Sequence, residues 1–106
     1  MKKPAHELLP IHLGELGLEF QPEYKFCERK WMFDFLITNR LKHGLTPAIE
    51  IEGGIWTQGR HTRGAGYQRD LSKYNHAAVA GFLVFRFSTE DVLKGRAKEF
   101  LQEHLC

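Results

Sequence analysis

The segment GFLVFRF, residues 81–87, constrains the fold more than any other part of the chain. It is apolar at nearly every position, which is typical of a strand in a sheet that is buried on both faces. A helical pattern precedes it over about residues 67–80, with Leu71, Tyr74 and Ala78 as the apolar stripe. A buried strand that is reached through a helix indicates an α/β fold.

The segments upstream of that helix change to a period of two. Three successive strands are predicted, within GLEFQPEYKF (residues 17–26), KWMFDFLI (30–37) and AIEIE (48–52). A first helix is expected over about residues 6–16, or only from Pro10, and a last helix starts at Ser88 and Thr89. The prediction is therefore helix, three antiparallel strands, helix, strand and helix, forming a mixed four-stranded sheet with helices on both faces.

Length and composition limit the classes of protein that this chain can belong to. A chain of 106 residues makes a single domain, residues 1–106, and a hydrophobic fraction of 42% is typical of a globular protein. Two cysteines do not make a disulfide framework, and their spacing does not suggest zinc. Neither a signal peptide nor a membrane span is evident, so the expected location is the cytoplasm. The net charge of +2 is too small to name a partner.

Three carboxylates fall within the predicted strands. Because side chains two residues apart in a strand share a face, Glu50 and Glu52 point the same way. If this strand pairs with the preceding one, Asp34 meets Glu50 on that face, where like charges repel unless a cation neutralises them. Oxygen ligands of this kind suit Mg²⁺ or Mn²⁺. The alternative is that a neighbouring lysine or arginine pairs with Asp34 and that both glutamates are solvated.

Alternation also assigns the apolar residues of the second strand to its two faces. Phe33, Phe35 and Ile37 are expected on one face, and Asp34 and Leu36 on the other. The last predicted helix is expected to bury a second apolar set, which comprises Val92, Leu93, Ala97, Phe100 and Leu101.

Basic side chains follow the acids along the chain. Lys73 reaches the carboxylates if its helix packs against them, and otherwise it pairs with Asp70 three residues earlier. Residues 59–69 include three arginines and a histidine but no acid. Basic loops of this kind commonly contact phosphates, although a solvated loop fits the sequence equally well. Arg86, in the last strand, is expected to be structural.

Taken together, these segments resemble the PD-(D/E)xK nuclease superfamily, which has the restriction-endonuclease-like fold. The similarity rests on RKWMFDF, AIEIEGGIW and GRHTRGAGYQRDLSKYNHAAVAGFLVFRFS, in this order, and covers about residues 7–100. The closer similarity is to small phage and bacterial endonuclease domains related to the very-short-patch repair endonucleases. It implies a cytoplasmic, Mg²⁺-dependent endonuclease acting on DNA, with Mn²⁺ as a substitute metal. A domain this small often forms a homodimer to cut both strands.

The resemblance implies roles for the polar residues of the pattern. Asp34 and Glu50 hold the metal together with the backbone carbonyl of Ile51. Glu52 binds a second metal or orients water, and it stands where the superfamily pattern has a lysine that positions or activates the attacking water. In some relatives a lysine from the following helix takes that role, and Lys73 is the matching candidate here.

The resemblance also implies contacts outside the metal site. Arg60, His61 and Arg63 bind flanking phosphates, while for His61 a proton relay or no role are the alternatives. An acid expected in the first helix aligns with Glu7, less well with Glu15, and an ordinary acid near a helix N-terminus explains Glu7 equally well.

Two other functions stay open at this point. One is a catalytically inactive nucleic-acid-binding module of the same fold, which the acid Glu52 at the lysine position favours. The other is a metal-binding regulatory domain, which leaves the basic loop unexplained.

Overall fold

The computed structural model describes residues 4–53 and 65–106. Its elements are α1 (Pro4–Glu15), β1 (Phe20–Lys25), β2 (Met32–Ile37), β3 (Thr46–Glu52), α2 (Ala65–Val79), β4 (Phe82–Ser88), α3 (Thr89–Leu93) and α4 (Arg96–Leu105). The sheet has the strand order β1-β2-β3-β4, in which β1, β2 and β3 are antiparallel neighbours and β4 is parallel to β3. The predicted α/β architecture with a mixed four-stranded sheet is confirmed.

Apolar side chains cover both faces of the sheet. The larger cluster joins one face to α1, α3 and α4, and its fully buried members include Leu9, Leu13, Ile37, Ile49, Val92 and Leu101. The smaller cluster joins the other face to α2, and it comprises Phe33, Leu36, Ala48 and Ala77 with Tyr24, Phe26, Phe82 and Val84 packed against it. The two clusters confirm the expectation of helices on both faces.

Helix α1 continues through Pro10, so the alternative start at Pro10 is wrong. A proline inside a helix costs about 3 kcal/mol because it removes one hydrogen bond and crowds the preceding turn. Ala5, Leu9 and Leu13 recur at four-residue intervals and are fully buried. Burial of each leucine contributes about 1.5–3 kcal/mol, so the packing of α1 offsets the cost of its proline.

The apolar stripe predicted for α2 is wrong at Leu71 and Ala78, whereas Tyr74 faces the sheet as expected. Ala77 is the buried residue of this helix, whereas Leu71 and Ala78 are exposed. Lys73 and Tyr74 precede Ala77 by four and three residues, so they share the side of the helix that faces the sheet. The pattern failed because a lysine occupies a position that a simple stripe reserves for an apolar residue.

The predicted last helix is two helices, although its predicted start is confirmed. Ser88 and Asp91 form a capping box at the start of α3. Gly95 has a φ of 79°, in the left-handed region that favours glycine, and it separates α3 from α4. Leu93 and Phe100 are exposed, contrary to expectation, and the rest of the predicted set is buried as expected: Val92, Ala97 and Leu101.

The side-chain alternation predicted for β2 breaks at Asp34. Phe33 belongs to the cluster on the α2 side, whereas Phe35 and Ile37 belong to the opposite cluster, so the prediction that these three residues share a face is wrong. The ladder between β1 and β2 skips Glu23 and Asp34, and Glu23 has a φ of 51°. The sheet is therefore irregular in both strands at this level.

Candidate functional site

Strands β2 and β3 pair over a short stretch and then part at Asp34. Their ladder consists of Phe35↔Ile49 and Leu36↔Ala48. The N–H of Ile51 donates to a side chain of β2, Oδ2 of Asp34, at 2.7 Å. Pro47 lies four residues before Ile51, so its nitrogen also faces β2 but carries no hydrogen. The ladder is thus limited by a proline on one side and by an aspartate on the other.

Asp34 lies between β3 and α1. Its Oδ1 is 3.5 Å from Nε2 of His6, while Oδ2 accepts the Ile51 N–H. Both side chains are about one-third exposed, and they line a cavity of about 550 Å³ together with Phe20, Glu23 and others. One oxygen of Asp34 is therefore fixed by the backbone, and the other faces a histidine beside an open cavity.

The residue of α1 that stands next to Asp34 is His6, whereas Glu7 is exposed. Sequence reasoning missed His6 because it looked for an acid in the first helix. The available signal was the spacing of His6 three residues before the buried Leu9, which places it at the edge of the buried stripe.

Glu50 is held from the other side of the sheet by α2. Lys73 forms an ion pair with Oε1 of Glu50, and the hydroxyl of Tyr74 donates to Oε2. The side chains of Lys73 and Glu50 are 14% and 13% exposed. Burial, and then the hydrogen bond to Glu50, hold the pKa of Tyr74 well above its usual value, so the hydroxyl stays a donor. The expected contact of Lys73 with a carboxylate is present, and its catalytic role stays a prediction.

Glu52 is paired with a cation from β4. Nε of Arg86 donates to Oε2 of Glu52, and this contact raises the pKa of the guanidinium. The guanidinium of Arg86 also lies over the ring of Tyr74, 4.4 Å from its centroid, and Nζ of Lys73 is 5.4 Å from the same centroid. The two glutamates of β3 are thus each balanced by one cation, and Tyr74 lies against both cations.

The ligating side chains that are present limit the kind of metal ion this site could hold. Among the residues that the structure describes, no group of three or more His, Cys, Asp and Glu side chains is arranged to hold an ion. Magnesium, however, is commonly bound by one or two carboxylates, with waters and substrate phosphates completing its shell. In this structure Asp34 faces α1 and Glu50 faces α2, so the expectation that these two carboxylates meet on one face of the sheet is wrong. They share the level at which β2 and β3 part, and both oxygens of Glu50 have partners in α2.

Several residues of the predicted site fall outside the described part of the chain. These are Arg60, His61 and Arg63. Gly53 is described, and a Cβ at this position would lie 3.2 Å from Oγ1 of Thr89, so the chain leaves β3 in close approach to the start of α3.

Comparison of the chain with protein-family models, curated proteins and solved structures finds no match. The similarity to the PD-(D/E)xK superfamily therefore stays a prediction from sequence. Within residues 4–53 and 65–106, no helix has the length and apolar character needed to cross a membrane.

Proposed function

We propose that the protein is a metal-dependent endonuclease with a restriction-endonuclease-like fold, which hydrolyses phosphodiester bonds in DNA. One observation carries the proposal: the carboxylate of Asp34 is hydrogen-bonded to the residue that directly follows Glu50 in β3. Asp34 therefore lies beside the backbone of β3 at the level of Glu50, where β2 and β3 part, with its side chain towards α1 and that of Glu50 towards α2. Asp34 and Glu50 are the residues that would hold the metal.

Backbone geometry supplies a third oxygen for the same ion. In an extended strand the N–H and the carbonyl of one residue face the same neighbouring strand. Because the N–H of Ile51 points to Asp34, the carbonyl of Ile51 faces that side as well. This supports the assignment of the Ile51 carbonyl as a ligand.

The other residues of the site orient and balance these ligands. A bound Mg²⁺ ion supplies Lewis-acid activation of water and of the phosphoryl oxygen. Lys73 pairs with Glu50 and adds a positive charge beside the reaction, where negative charge develops. Tyr74 donates to the second oxygen of Glu50 and so fixes the plane of that carboxylate.

The second candidate function is a nucleic-acid-binding module that does not cleave. The pairing of Glu50 with Lys73 and Tyr74, and of Glu52 with Arg86, favours it. These contacts give each glutamate a counter-charge from the protein itself.

Cleavage assays separate the two functions. Plasmid, single-stranded and branched DNA are incubated with the wild type, Asp34→Asn and Glu50→Gln in Mg²⁺, in Mn²⁺ and in EDTA. Glu103→Gln is the control, since Glu103 is an exposed acid of α4 that is not part of the proposed site. We expect metal-dependent cleavage by the wild type and the control and its loss in both site variants. Binding without cleavage by the wild type favours the module, and full activity of Asp34→Asn contradicts the metal site.

A further inference from the structure

Arg86 is the accessible cation of the network around the two glutamates. It is the register partner of Glu50 in the parallel β3–β4 pair, so its side chain leaves the sheet on the same face. Its side chain is 45% exposed, whereas that of Lys73 is 14% exposed. A ligand that approaches from solvent therefore meets Arg86 before it meets Lys73.

The guanidinium of Arg86 is held in a fixed orientation by two contacts. Glu52 accepts a hydrogen bond from Nε, and Tyr74 supports the flat face of the group. Among the described residues, the hydrogen bond recorded for Arg86 is this one from Nε. The N–H groups of both terminal nitrogens are therefore available to an acceptor that does not belong to the described residues.

We propose that Arg86 binds a backbone phosphate of nucleic acid through its two terminal nitrogens. The choice of nucleic acid as the ligand rests on the proposed function. The planar fork of arginine matches two phosphate oxygens, and fixing it in advance lowers the entropy lost on binding. Glu52 and Tyr74 are then positioning residues. This assigns Glu52 a task at the position where the superfamily pattern has a lysine, because it orients a cation.

Binding of a fluorescein-labelled DNA duplex, measured by anisotropy in EDTA, tests the inference without cleavage. Arg86→Gln alone leaves Glu52 unpaired, and the bare acid repels DNA whatever the role of Arg86. The deciding variant is therefore Glu52→Gln with Arg86→Gln, which keeps the net charge of the wild type. We expect it to raise the Kd by about tenfold or more, since a charge-assisted contact is lost.

Two further variants distinguish a phosphate contact from other effects. Arg86→Lys keeps the charge but loses the fork, so it is expected to bind more weakly than the wild type. Arg40→Gln is the matched control, because Arg40 precedes the opposite end of β3 and its recorded contact is the carbonyl of Asn39. Wild-type affinity of the Glu52→Gln, Arg86→Gln variant, or an equal loss in Arg40→Gln, overturns the inference.

A second measurement tests the inference even if the variants do not fold or the wild type does not bind DNA. Inorganic phosphate is titrated into the wild type, and the arginine side-chain resonances are followed by NMR at constant ionic strength. A saturable shift at Arg86 but not at Arg40 is expected, and its absence overturns the inference. If the wild type binds DNA through Arg86 without cleaving it, the proposed endonuclease activity is contradicted and the role of Arg86 is not. Cleavage with no loss of binding in the Arg86 variants contradicts this inference alone.

Discussion

The ion pair between Lys73 and Glu50 offers the sharpest test of the site's energetics. Lys73→Met removes the charge while keeping much of the volume, and Glu50 is then left with the hydroxyl of Tyr74 as its recorded partner. Glu50→Gln, alone and combined with Lys73→Met, completes a double-mutant cycle.

The expected magnitude follows from the burial of the pair. Removing one partner of a fully buried ion pair costs about 3–5 kcal/mol, whereas exposed pairs contribute about 0–1 kcal/mol. The side chains are 14% and 13% exposed, and Tyr74 still donates to Glu50 in the variant. We therefore expect Lys73→Met to lower the free energy of unfolding by about 2–3 kcal/mol. The double variant should be more stable than the sum of the single changes, with a coupling of about 1–2 kcal/mol.

Urea unfolding in EDTA measures all four free energies, and a surface pair provides the control. Lys98 and Glu15 join α4 to α1 with side chains that are 34% and 51% exposed. The cycle of Lys98→Met and Glu15→Gln should give a clearly smaller coupling, because solvent screens an exposed pair. If the Lys73–Glu50 coupling is no larger than this, the pair does not hold α2 against the sheet and the reasoning is wrong.

Three further predictions concern α1 and the start of α3. His6→Gln should weaken Mg²⁺ binding and cleavage, because His6 lies 3.5 Å from Asp34. Glu7→Gln should leave both unchanged, since Glu7 is exposed. The opposite result would support Glu7 as the first-helix acid of the site. Ser88→Ala should cost about 1 kcal/mol in urea unfolding, since it removes the N-cap. Hydrogen bonds from the Ser88 backbone and from Arg96 lower the pKa of Asp91, so its stabilisation is present above the ordinary value of 3.8 and is lost as the pH falls below it. Asp91→Asn should therefore be less stable than the wild type at neutral pH and match it in acid.

The order of helices and strands was predictable because it depends on local patterns. The continuous apolar run of β4 indicated a strand reached through a helix, and Ser88 with Asp91 marked a helix start by its capping chemistry. The face that α2 presents was not predictable in this way. Lys73 lies on the buried side because Glu50, 23 residues earlier, provides its counter-charge. A stripe of apolar residues contains no information about such a partner.

The side of the sheet on which the Asp34 side chain lies also depends on the neighbouring strands. Strict alternation assigned Phe33 and Phe35 to one side, and the structure separates them. The irregularity at Asp34 goes with the loss of pairing to β3, where the N–H of Ile51 bonds to the Asp34 side chain. These are contacts between segments, so they become visible only once the strands are assembled. Next to this break, Asp34 faces α1 while Glu50 faces α2.

The same contacts support the fold and, in our proposal, catalysis. When a Lys73 variant loses cleavage, the part due to lower stability must therefore be separated from the part due to slower catalysis. A destabilisation of about 2–3 kcal/mol leaves most molecules folded when the total stability is in the usual range of about 5–15 kcal/mol. Removal of a preorganised cation from the transition state instead lowers the rate by about 10² to 10³. Single-turnover cleavage by Lys73→Met, measured well below its unfolding transition, should therefore fall by far more than the folded fraction does. A rate that falls only with the folded fraction would mean that Lys73 anchors α2 to Glu50 and takes no part in the reaction.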